Sequence, residues 1–467
     1  MVGMARFAVI ALRRLFPQGL KLRPTLAAWI LAIATGFAAH VAAQPETPTI
    51  ATLDEAGTQS EADEANQIVS RFEAELEMQR LMQEERYAEA TEFGPTLVHL
   101  TEEEFGLKST AAADAYVELA DAERLAGEYE KAETGYLHAL DLYREADGQF
   151  SARLIDPLVS LGDNYQESGE YTKALSAYDD ARNVSRRVYG LLNEGQVEIL
   201  DRLTKSYESL DQLPEAQEQQ LAALTLVQRS YPPSSPEVLD AIYKYALWLR
   251  ESHRYNEERD QYFRADRIIR DAYGDMSVYL VKPLRERANS FRIQGVASSQ
   301  GSGGLDDALE ILQAQADPDP RMLAELLRDR GDWQIAFSRF GGDGSEYLQS
   351  WQLLGELPDG DALREEWYSG IEFVLRAPLS RTGLTDDPEA PNGHVLVRFD
   401  ITPIGRTENV SVIASEPPGL KDDAVSRQVR QSRFRPNIED GQIITATNRA
   451  LDFQFRYLTG EAPTAEQ

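Results

Sequence analysis

Along most of this chain, apolar and small residues recur at the three- and four-residue spacing of amphipathic helices, and these stretches come in pairs. In residues 161–181 (LGDNYQESGEYTKALSAYDDA), Leu161 and Tyr165 share one helical face. Gly169 ends that helix, and Tyr178 lies on the apolar face of a second one. The pattern therefore predicts a hairpin of two helices joined by a short turn.

The hairpin pattern repeats with a period of about 42 residues over residues 66–357. The landmarks in register are Leu119, Leu161, Leu203 and Tyr245, then Ala139, Ala181, Ala223 and Ala265, then Gly106, Gly148, Gly190, Pro232 and Gly274. A fixed period over this many positions predicts an array of stacked helical hairpins. The glycine-rich stretch 295–304 is predicted to be a flexible insertion, and residues 331–336 begin a last, degenerate copy.

The period changes to two near the end of the chain. Val395, Val397 and Phe399 alternate with less apolar positions, which indicates a strand. A turn, a second strand, a helix and a third strand at residues 443–457 complete a β-β-α-β order within residues 393–458. Residues 358–392 contain many turn formers and are predicted to be a linker, with a further candidate strand among residues 367–377. Residues 459–467 form a short tail.

The first 43 residues have the pattern of a processing signal. A basic lead without acidic residues is followed by an apolar run from Leu26 to Ala39, and small residues stand at Val41 and Ala43. This pattern predicts a signal peptide cleaved after Ala43, with an uncleaved inner-membrane anchor as the alternative. Residues 44–65 are acidic and lack apolar periodicity, which predicts a disordered leader. Both alternatives place the rest outside the cytoplasm, which for a Gram-negative protein means the periplasm.

Charge and composition argue against several classes of partner and of catalytic chemistry. The 467-residue chain has 78 acidic and 47 basic residues and a net charge of −31, which argues against nucleic acid and anionic membrane surfaces as partners. It has no cysteine, and its five histidines are scattered. No phosphate-binding loop, nucleophile elbow or zinc-protease motif is present. We therefore predict no cofactor, no metal and no catalytic residues; an enzyme would need a deep pocket with raised carboxylate pKa values.

The hairpin motif resembles the tetratricopeptide repeat (TPR) family. Leu158-x2-Leu161-Gly162-x2-Tyr165, followed by Ala174-x3-Tyr178, is close to its signature. The resemblance implies an α-solenoid whose first helices line a concave groove for an extended peptide or a partner helix. The groove positions that it implies are Asp121, Arg124, Asp163, Gln166, Lys205, Glu208, Leu247 and Arg250.

The strand-rich end resembles the C-terminal domain of TonB, the periplasmic energy transducer that binds outer-membrane receptors. The matching features are Val395-x-Val397-x-Phe399-x-Ile401, Pro403-x-Gly405, Asn409-Val410, Ser415-x-Pro417, Phe434-x-Pro436 and Phe453-x-Phe455. The resemblance implies that this domain adds a strand of the receptor to its own sheet edge. The candidate edge is the last strand, with Ile443, Thr445, Thr447, Arg449 and Leu451.

The chain departs from the TonB pattern in ways that separate two functional hypotheses. The family's Pro-rich spacer is missing, and Thr35 and His40 lack the spacing of its Ser-x3-His anchor pair. The first hypothesis is a non-enzymatic periplasmic adaptor that docks envelope partners, with a TonB-dependent receptor as one candidate. The second is an inner-membrane-anchored variant energy transducer. A mature chain that starts at Gln44 favours the adaptor, and retained residues 1–43 favour the transducer.

The expected fold is mainly α, a TPR-like solenoid followed by a small α+β domain.

Overall fold

The computed structural model describes residues 70–339 and 341–458. The predicted signal peptide or anchor (1–43), the acidic leader (44–65) and the tail (459–467) lie outside the described residues. Within the described part, no helix is both long enough and apolar enough to span a membrane.

The larger part of the described chain is a series of helical hairpins, in which each helix packs on the next. In chain order the helices are α1 (70–83), α2 (Tyr87–Phe105), α3 (Thr110–Leu125), α4 (Tyr129–Asp147), α5 (Ile155–Glu167), α6 (Tyr171–Tyr189), α7 (Gln196–Ser209), α8 (Leu213–Ser230), α9 (Leu239–Glu251), α10 (Tyr255–Tyr273), α11 (Val281–Gln294), α12 (Ser299–Gln313), α13 (Pro320–Phe337) and α14 (Ser345–Leu354). The odd-numbered members are the first helices of their hairpins. The predicted α-solenoid is confirmed.

The turn inside each hairpin keeps one backbone conformation while its sequence varies. The equivalent residues Gly127, Gly169, Asp211 and His253 all have a left-handed backbone, with φ of 82°, 83°, 56° and 58°. Glycine adopts this conformation without a steric cost, and a short polar side chain tolerates it better than a branched one. The 42-residue register therefore holds in the structure even where the glycine of the sequence motif is replaced.

Within a hairpin, a glycine of the first helix allows close contact with a tyrosine of the second. A Cβ atom built on Gly162 would lie 2.3 Å from the ring of Tyr178, and one on Gly331 would lie 2.6 Å from Tyr347. The tyrosine hydroxyls then donate to an aspartate of the first helix, Tyr178 to Asp163 at 2.6 Å and Tyr347 to Asp332 at 2.9 Å. The last hairpin therefore repeats the packing of the third, despite its degenerate sequence.

The glycine-rich stretch 295–304 differs from the prediction. It was expected to be a flexible loop, but α12 begins at Ser299 and includes the glycines that follow. A Cβ atom on Gly301 would lie 2.3 Å from the ring of Trp333, and one on Gly304 would lie 3.3 Å from the carbonyl oxygen of Leu284. These glycines allow close helix packing, a role that sequence alone does not distinguish from flexibility.

A short helix and a strand connect the array to the C-terminal domain. The segment 358–392, predicted to be a linker, contains α15 (Gly360–Tyr368) and β1 (Phe373–Leu375). Trp367, Tyr368 and Val374 are buried in a core shared with the last hairpin. This stretch therefore packs as part of the domain junction.

The C-terminal domain follows the predicted β-β-α-β order and adds short strand pairs. Its elements are β2 (Asn392–Ile401), β3 (Thr407–Glu416), α16 (Asp422–Gln431), β4 (Arg433–Phe434), β5 (Asn437–Glu439), β6 (Gln442–Ile444) and β7 (Ala446–Arg456). The main sheet has the antiparallel order β3-β2-β7, while β1 pairs with β4 and β5 with β6. Val395, Val397 and Phe399 on β2 are fully buried against Val425 and Val429 of α16.

The third predicted strand, 443–457, is divided in two. Ile443 lies in β6, where it pairs with Ile438 of β5, and only from Ala446 does the chain pair with β2. Both pieces have strand-forming residues, so the sequence pattern is continuous. Tertiary packing separates them, because the β5–β6 hairpin contributes Ile438 and Ile443 to the core of the last array hairpin.

Candidate partner-binding sites

The polar side chains predicted to line the groove link neighbouring hairpins along the first helices. Arg124 donates to Glu167 at 2.5 Å, and the amide of Gln166 donates to the hydroxyl of Ser209 at 3.1 Å. The indole N–H of Trp248 donates to Glu208. Each bond joins one first helix to the next one along the array. These side chains therefore hold the repeats in register, and part of their hydrogen-bonding capacity is already used.

The remaining predicted groove positions fall into two groups. Asp121 and Asp163 accept hydrogen bonds from the buried tyrosines of their own hairpins, and Arg250 forms ion pairs with Glu258 and Glu286. By contrast, Lys205 is exposed and Leu247 is 50% exposed. Glu208 is exposed as well, but it accepts the hydrogen bond from Trp248.

Glu258 stands where the earlier repeats have a small alanine, and it is fully buried. Its carboxylate accepts one hydrogen bond from Arg250 at 2.6 Å and another from the hydroxyl of Ser290 at 2.7 Å. Burial raises the pKa of Glu258, while the two donors oppose that rise. The carboxylate therefore forms a polar link between the fifth and sixth hairpins, and it is closed to solvent.

The array also has a cleft that is lined by none of the eight predicted groove residues. Its volume is about 740 Å³, and the first helices α9, α11 and α13 and the turn before α11 form its walls. Its aromatic lining residues are Tyr243, Tyr279 and Tyr273 at the end of α10, and Met322 of α13 also lines it. Clefts of roughly 300–1,000 Å³ with apolar and aromatic walls are typical ligand sites.

The charges around this cleft are largely neutralised by one another. Arg285 donates to Glu325 and Asp329, and Arg321 donates to Asp359 at 2.6 Å. Lys282 lies over Tyr243, with its Nζ atom 4.0 Å from the ring centroid. The cleft therefore offers aromatic surface beside the exposed Lys282 and the exposed carboxylates of Asp240 and Asp319, an arrangement that suits an extended peptide. Among the described residues, no group of three or more His, Cys, Asp or Glu side chains is placed to hold a metal ion.

The outer edge of β7 is the side of the strand away from β2. Residues 383–385 cover its C-terminal end, and the main-chain groups before that end are unpaired within the described chain. Arg456 accepts a hydrogen bond from the N–H of Thr385 at 3.1 Å, and Leu458 donates to Gly383 at 3.1 Å, both on the side away from β2. Because N–H and C=O groups alternate sides along a strand, Ala450, Asp452 and Gln454 also point outward. Within the described chain, no other strand pairs with this part of the edge. It is therefore open to strand addition.

The predicted edge residues are distributed differently from the expectation. Ile443 is taken up by the β5–β6 hairpin, and Leu451 packs on the domain core. Thr445 and Thr447 are exposed, and Arg449 is half-buried. Asn448 has a left-handed backbone with φ of 58°, which breaks the flat edge at that point. The regular open edge therefore begins at residue 450, later than predicted.

A buried ion pair joins the domain to the last hairpin. Arg435 donates to both carboxylate oxygens of Asp332, at 3.0 and 2.8 Å, and to the carbonyl of Trp367 at 3.2 Å. Burial alone would raise the pKa of Asp332, but the guanidinium of Arg435 outweighs it and lowers that pKa below its ordinary value. Arg292 adds a hydrogen bond to the carbonyl of Val374 at 2.6 Å. Together these contacts fix the sheet relative to the end of the array.

Comparison with protein families identifies both regions. Residues 111–187 match the model described as tetratricopeptide repeat, and residues 389–457 match the model of the Gram-negative bacterial TonB protein C-terminal. No curated protein matches the chain significantly in sequence.

Similar solved structures are repeat proteins of low sequence identity. One is the C-terminal part of a TPR repeat-containing protein from Cytophaga hutchinsonii, with 12% identity over 60% of this chain and 94% of that chain and a TM-score of 0.38. Another is pilF from Pseudomonas aeruginosa, with 16% identity over 54% of this chain and 95% of that chain and a TM-score of 0.31. From the family matches, residues 111–187 are a tetratricopeptide repeat region and residues 389–457 are a TonB C-terminal domain.

Proposed function

We propose that this protein is a periplasmic adaptor without enzymatic activity that docks two partners, one in the array and one on the C-terminal sheet. TPR folds are typical scaffolds for protein–protein interaction. The observation that carries the proposal is the open outer edge of β7, because a sheet edge with unpaired donors and acceptors is a template for another strand.

The edge supports addition of a short strand. Outward main-chain groups at Ala450, Asp452 and Gln454 offer three donors and three acceptors, and residues 383–385 already occupy the far end of the same edge. A partner strand of about five residues would fit between Asn448 and this covered end. Main-chain pairing supplies affinity, while neighbouring side chains supply specificity. A TonB-dependent outer-membrane receptor is the candidate partner that the domain family suggests.

The array supports a second, separate partner. Its aromatic cleft at Tyr243 and Tyr279, together with the exposed Lys205 and Leu247 on neighbouring first helices, offers mixed polar and apolar surface. This surface suits an extended peptide or the helix of an envelope protein. The cleft and the β7 edge are built from different residues, so one chain could hold both partners.

An alternative function follows from the N-terminal sequence. If residues 1–43 are retained as an inner-membrane anchor, the protein would be a variant energy transducer for transport across the outer membrane. The long basic lead before the apolar run is the feature that supports this alternative. Sequencing the N-terminus of the protein isolated from envelope fractions separates the two: a start at Gln44 supports the adaptor, and a start at Met1 supports the transducer.

A photo-crosslinker at Thr447, which is exposed beside the open edge, tests the strand-addition proposal in cells. The same crosslinker is combined with Gln454→Pro, which removes an outward N–H, or with Gln454→Thr, which keeps it. We expect one prominent captured protein, reduced at least about tenfold by proline and unchanged by threonine. Mass spectrometry of the crosslinked peptide should place the partner's contact in a short extended segment.

The identity of the captured protein refines the result. An outer-membrane receptor supports a role in transport, and another periplasmic protein supports an adaptor that uses the same edge elsewhere. Equal capture by the proline and threonine variants, with both variants folded by circular dichroism, would contradict strand addition at β7.

A further inference from the structure

A second groove lies between the second helices α6 and α8, with Gln196 and Leu200 of α7 also among its lining residues. Its volume is about 420 Å³, and the turn after α6 closes one end. Leu191 and Leu192 in that turn are 65% and 50% exposed, and Leu221 on α8 is 47% exposed. Large aliphatic side chains exposed around one groove are unusual for a solvated surface and mark an interaction site.

The charge around this groove is opposite to that of the whole chain. Arg182, Arg186 and Arg229 line it, against a single acidic residue, Glu218. Arg182 pairs with Asp179 at 2.7 Å, but its buried Nε has no hydrogen-bond acceptor. Arg186 and Arg229 are exposed, and neither forms an ion pair within the described residues. In a chain of net charge −31, this cationic site is a local reversal that selects for an acidic ligand.

We propose that the groove between α6 and α8 binds an amphipathic helix of a partner protein, with aliphatic residues on one face and acidic residues beside them. The aliphatic face would cover Leu191, Leu192 and Leu221, and its carboxylates would pair with Arg186 and Arg229. This site is independent of the aromatic cleft and of the β7 edge, because it uses none of their residues.

The shape of the groove favours a helix over other ligands of similar chemistry. Two neighbouring second helices form an open channel, and a third helix packs naturally between such ridges. A lipid with an acidic headgroup has the same combination of apolar and anionic groups. However, an open groove would leave an acyl chain partly in water, and the net charge of −31 of the whole chain opposes approach to an anionic bilayer.

A designed peptide tests the proposal directly on the full chain. The probe is a fluorescein-labelled 18-residue helix with leucines on one face and glutamates on the other. Binding is measured by fluorescence anisotropy as a function of salt. We expect saturable binding that weakens at least about tenfold in Arg186→Glu/Arg229→Glu, and several-fold in Leu221→Gln, because ion pairs and apolar contact both contribute. Affinity should also fall as salt increases.

The chain offers a matched control for the charge reversal. Arg144 occupies the same repeat position in α4 that Arg186 occupies in α6, since the two are 42 residues apart, and it pairs with Asp141 outside the groove. Arg144→Glu should leave peptide binding unchanged. A scrambled peptide of the same composition and a lysine-for-glutamate peptide should bind at least about tenfold more weakly.

Several results would overturn the proposal. Equal binding by the scrambled peptide, or equal loss in Arg144→Glu and Arg186→Glu/Arg229→Glu, would exclude a helix-specific site in this groove. Binding to phosphatidylglycerol vesicles that depends on Arg186 and Arg229, without binding of the peptide, would assign the groove to lipid. Self-association of the full chain that is abolished by the same reversal would assign it to a second copy.

Discussion

The array and the C-terminal domain use polar side chains in different ways. In the array, one contact recurs in several hairpins: Tyr136 donates to Asp121, Tyr178 to Asp163 and Tyr347 to Asp332. In the C-terminal domain, Arg435 makes its contact once, with no equivalent elsewhere. The difference indicates that stability is distributed along the array, whereas the position of the domain depends on one site.

The two regions meet at a residue that belongs to both patterns. Asp332 accepts from Tyr347 in the same geometry as the aspartates of earlier hairpins, and it also accepts from Arg435. The domain is therefore attached by extending a contact that the repeat already contains. Ile335 and Ile443 add apolar contact on either side of this pair.

The largest effect is expected from breaking this attachment. Arg435→Met leaves the fully buried carboxylate of Asp332 without its main cationic partner, and removal of one member of a buried pair costs about 3–5 kcal/mol. We expect this loss in the free energy of unfolding by urea, with early exposure of Trp367 in fluorescence. Hydrogen exchange should show the junction opening before the hairpins.

Two further variants test whether the loss of stability comes from the ion pair between Asp332 and Arg435. Arg433→Met removes a nearby arginine that donates only to main-chain carbonyls, so it should cost about 1 kcal/mol or less. Asp332→Asn combined with Arg435→Met removes both charges and should recover part of the loss. A cost below about 1 kcal/mol for Arg435→Met would mean that apolar packing alone positions the domain.

A smaller and local effect is expected inside the array. Gly162→Ala places a methyl group 2.3 Å from the ring of Tyr178, and such overpacking typically costs about 1–3 kcal/mol. Because each hairpin contacts mainly its two neighbours, faster hydrogen exchange should be confined to α3 to α8. Gly127→Ala, which meets no atom within 4 Å but has φ of 82°, should cost about 1 kcal/mol. Accelerated exchange in β2 and β7 would contradict the local response.

The smallest expected effect depends on pH and lies at the other end of the array. Burial, reinforced by Glu75, Asp114 and Asp121, raises the pKa of Glu118 to about 7 from 4.5. The folded protein therefore binds a proton that the unfolded chain releases between these pH values, so stability should fall as pH rises from about 4.5 to 7.

Glu118→Gln should remove this fall and increase the free energy of unfolding at pH 8 by roughly 1–2 kcal/mol, a range reduced for partial contact with water. Urea unfolding at pH 5 and pH 8 measures it. Glu130→Gln, on the exposed surface of α4, is the matched control and should leave the pH dependence unchanged. A pH dependence equal to that of the native protein in Glu118→Gln would contradict the assignment.

Sequence reasoning succeeded where a contact repeats or alternates. The period of 42 residues predicted the hairpins and their order along the chain. The alternation of Val395, Val397 and Phe399 predicted the central strand and its buried face. It failed for the glycines of α12, because a glycine that allows close packing and a glycine in a flexible loop have the same sequence pattern.

The sequence by itself thus determined the elements and their order, because helical and strand periodicity are local properties that the residues carry directly. Tertiary structure decided which surfaces remain open. Asp332 and Arg435 are 103 residues apart, and neither lies in a pattern that indicates the other. The cleft at Tyr243, the groove beside Arg186 and the free edge at Asp452 likewise depend on how distant elements pack, since a surface is open only where no other part of the chain covers it.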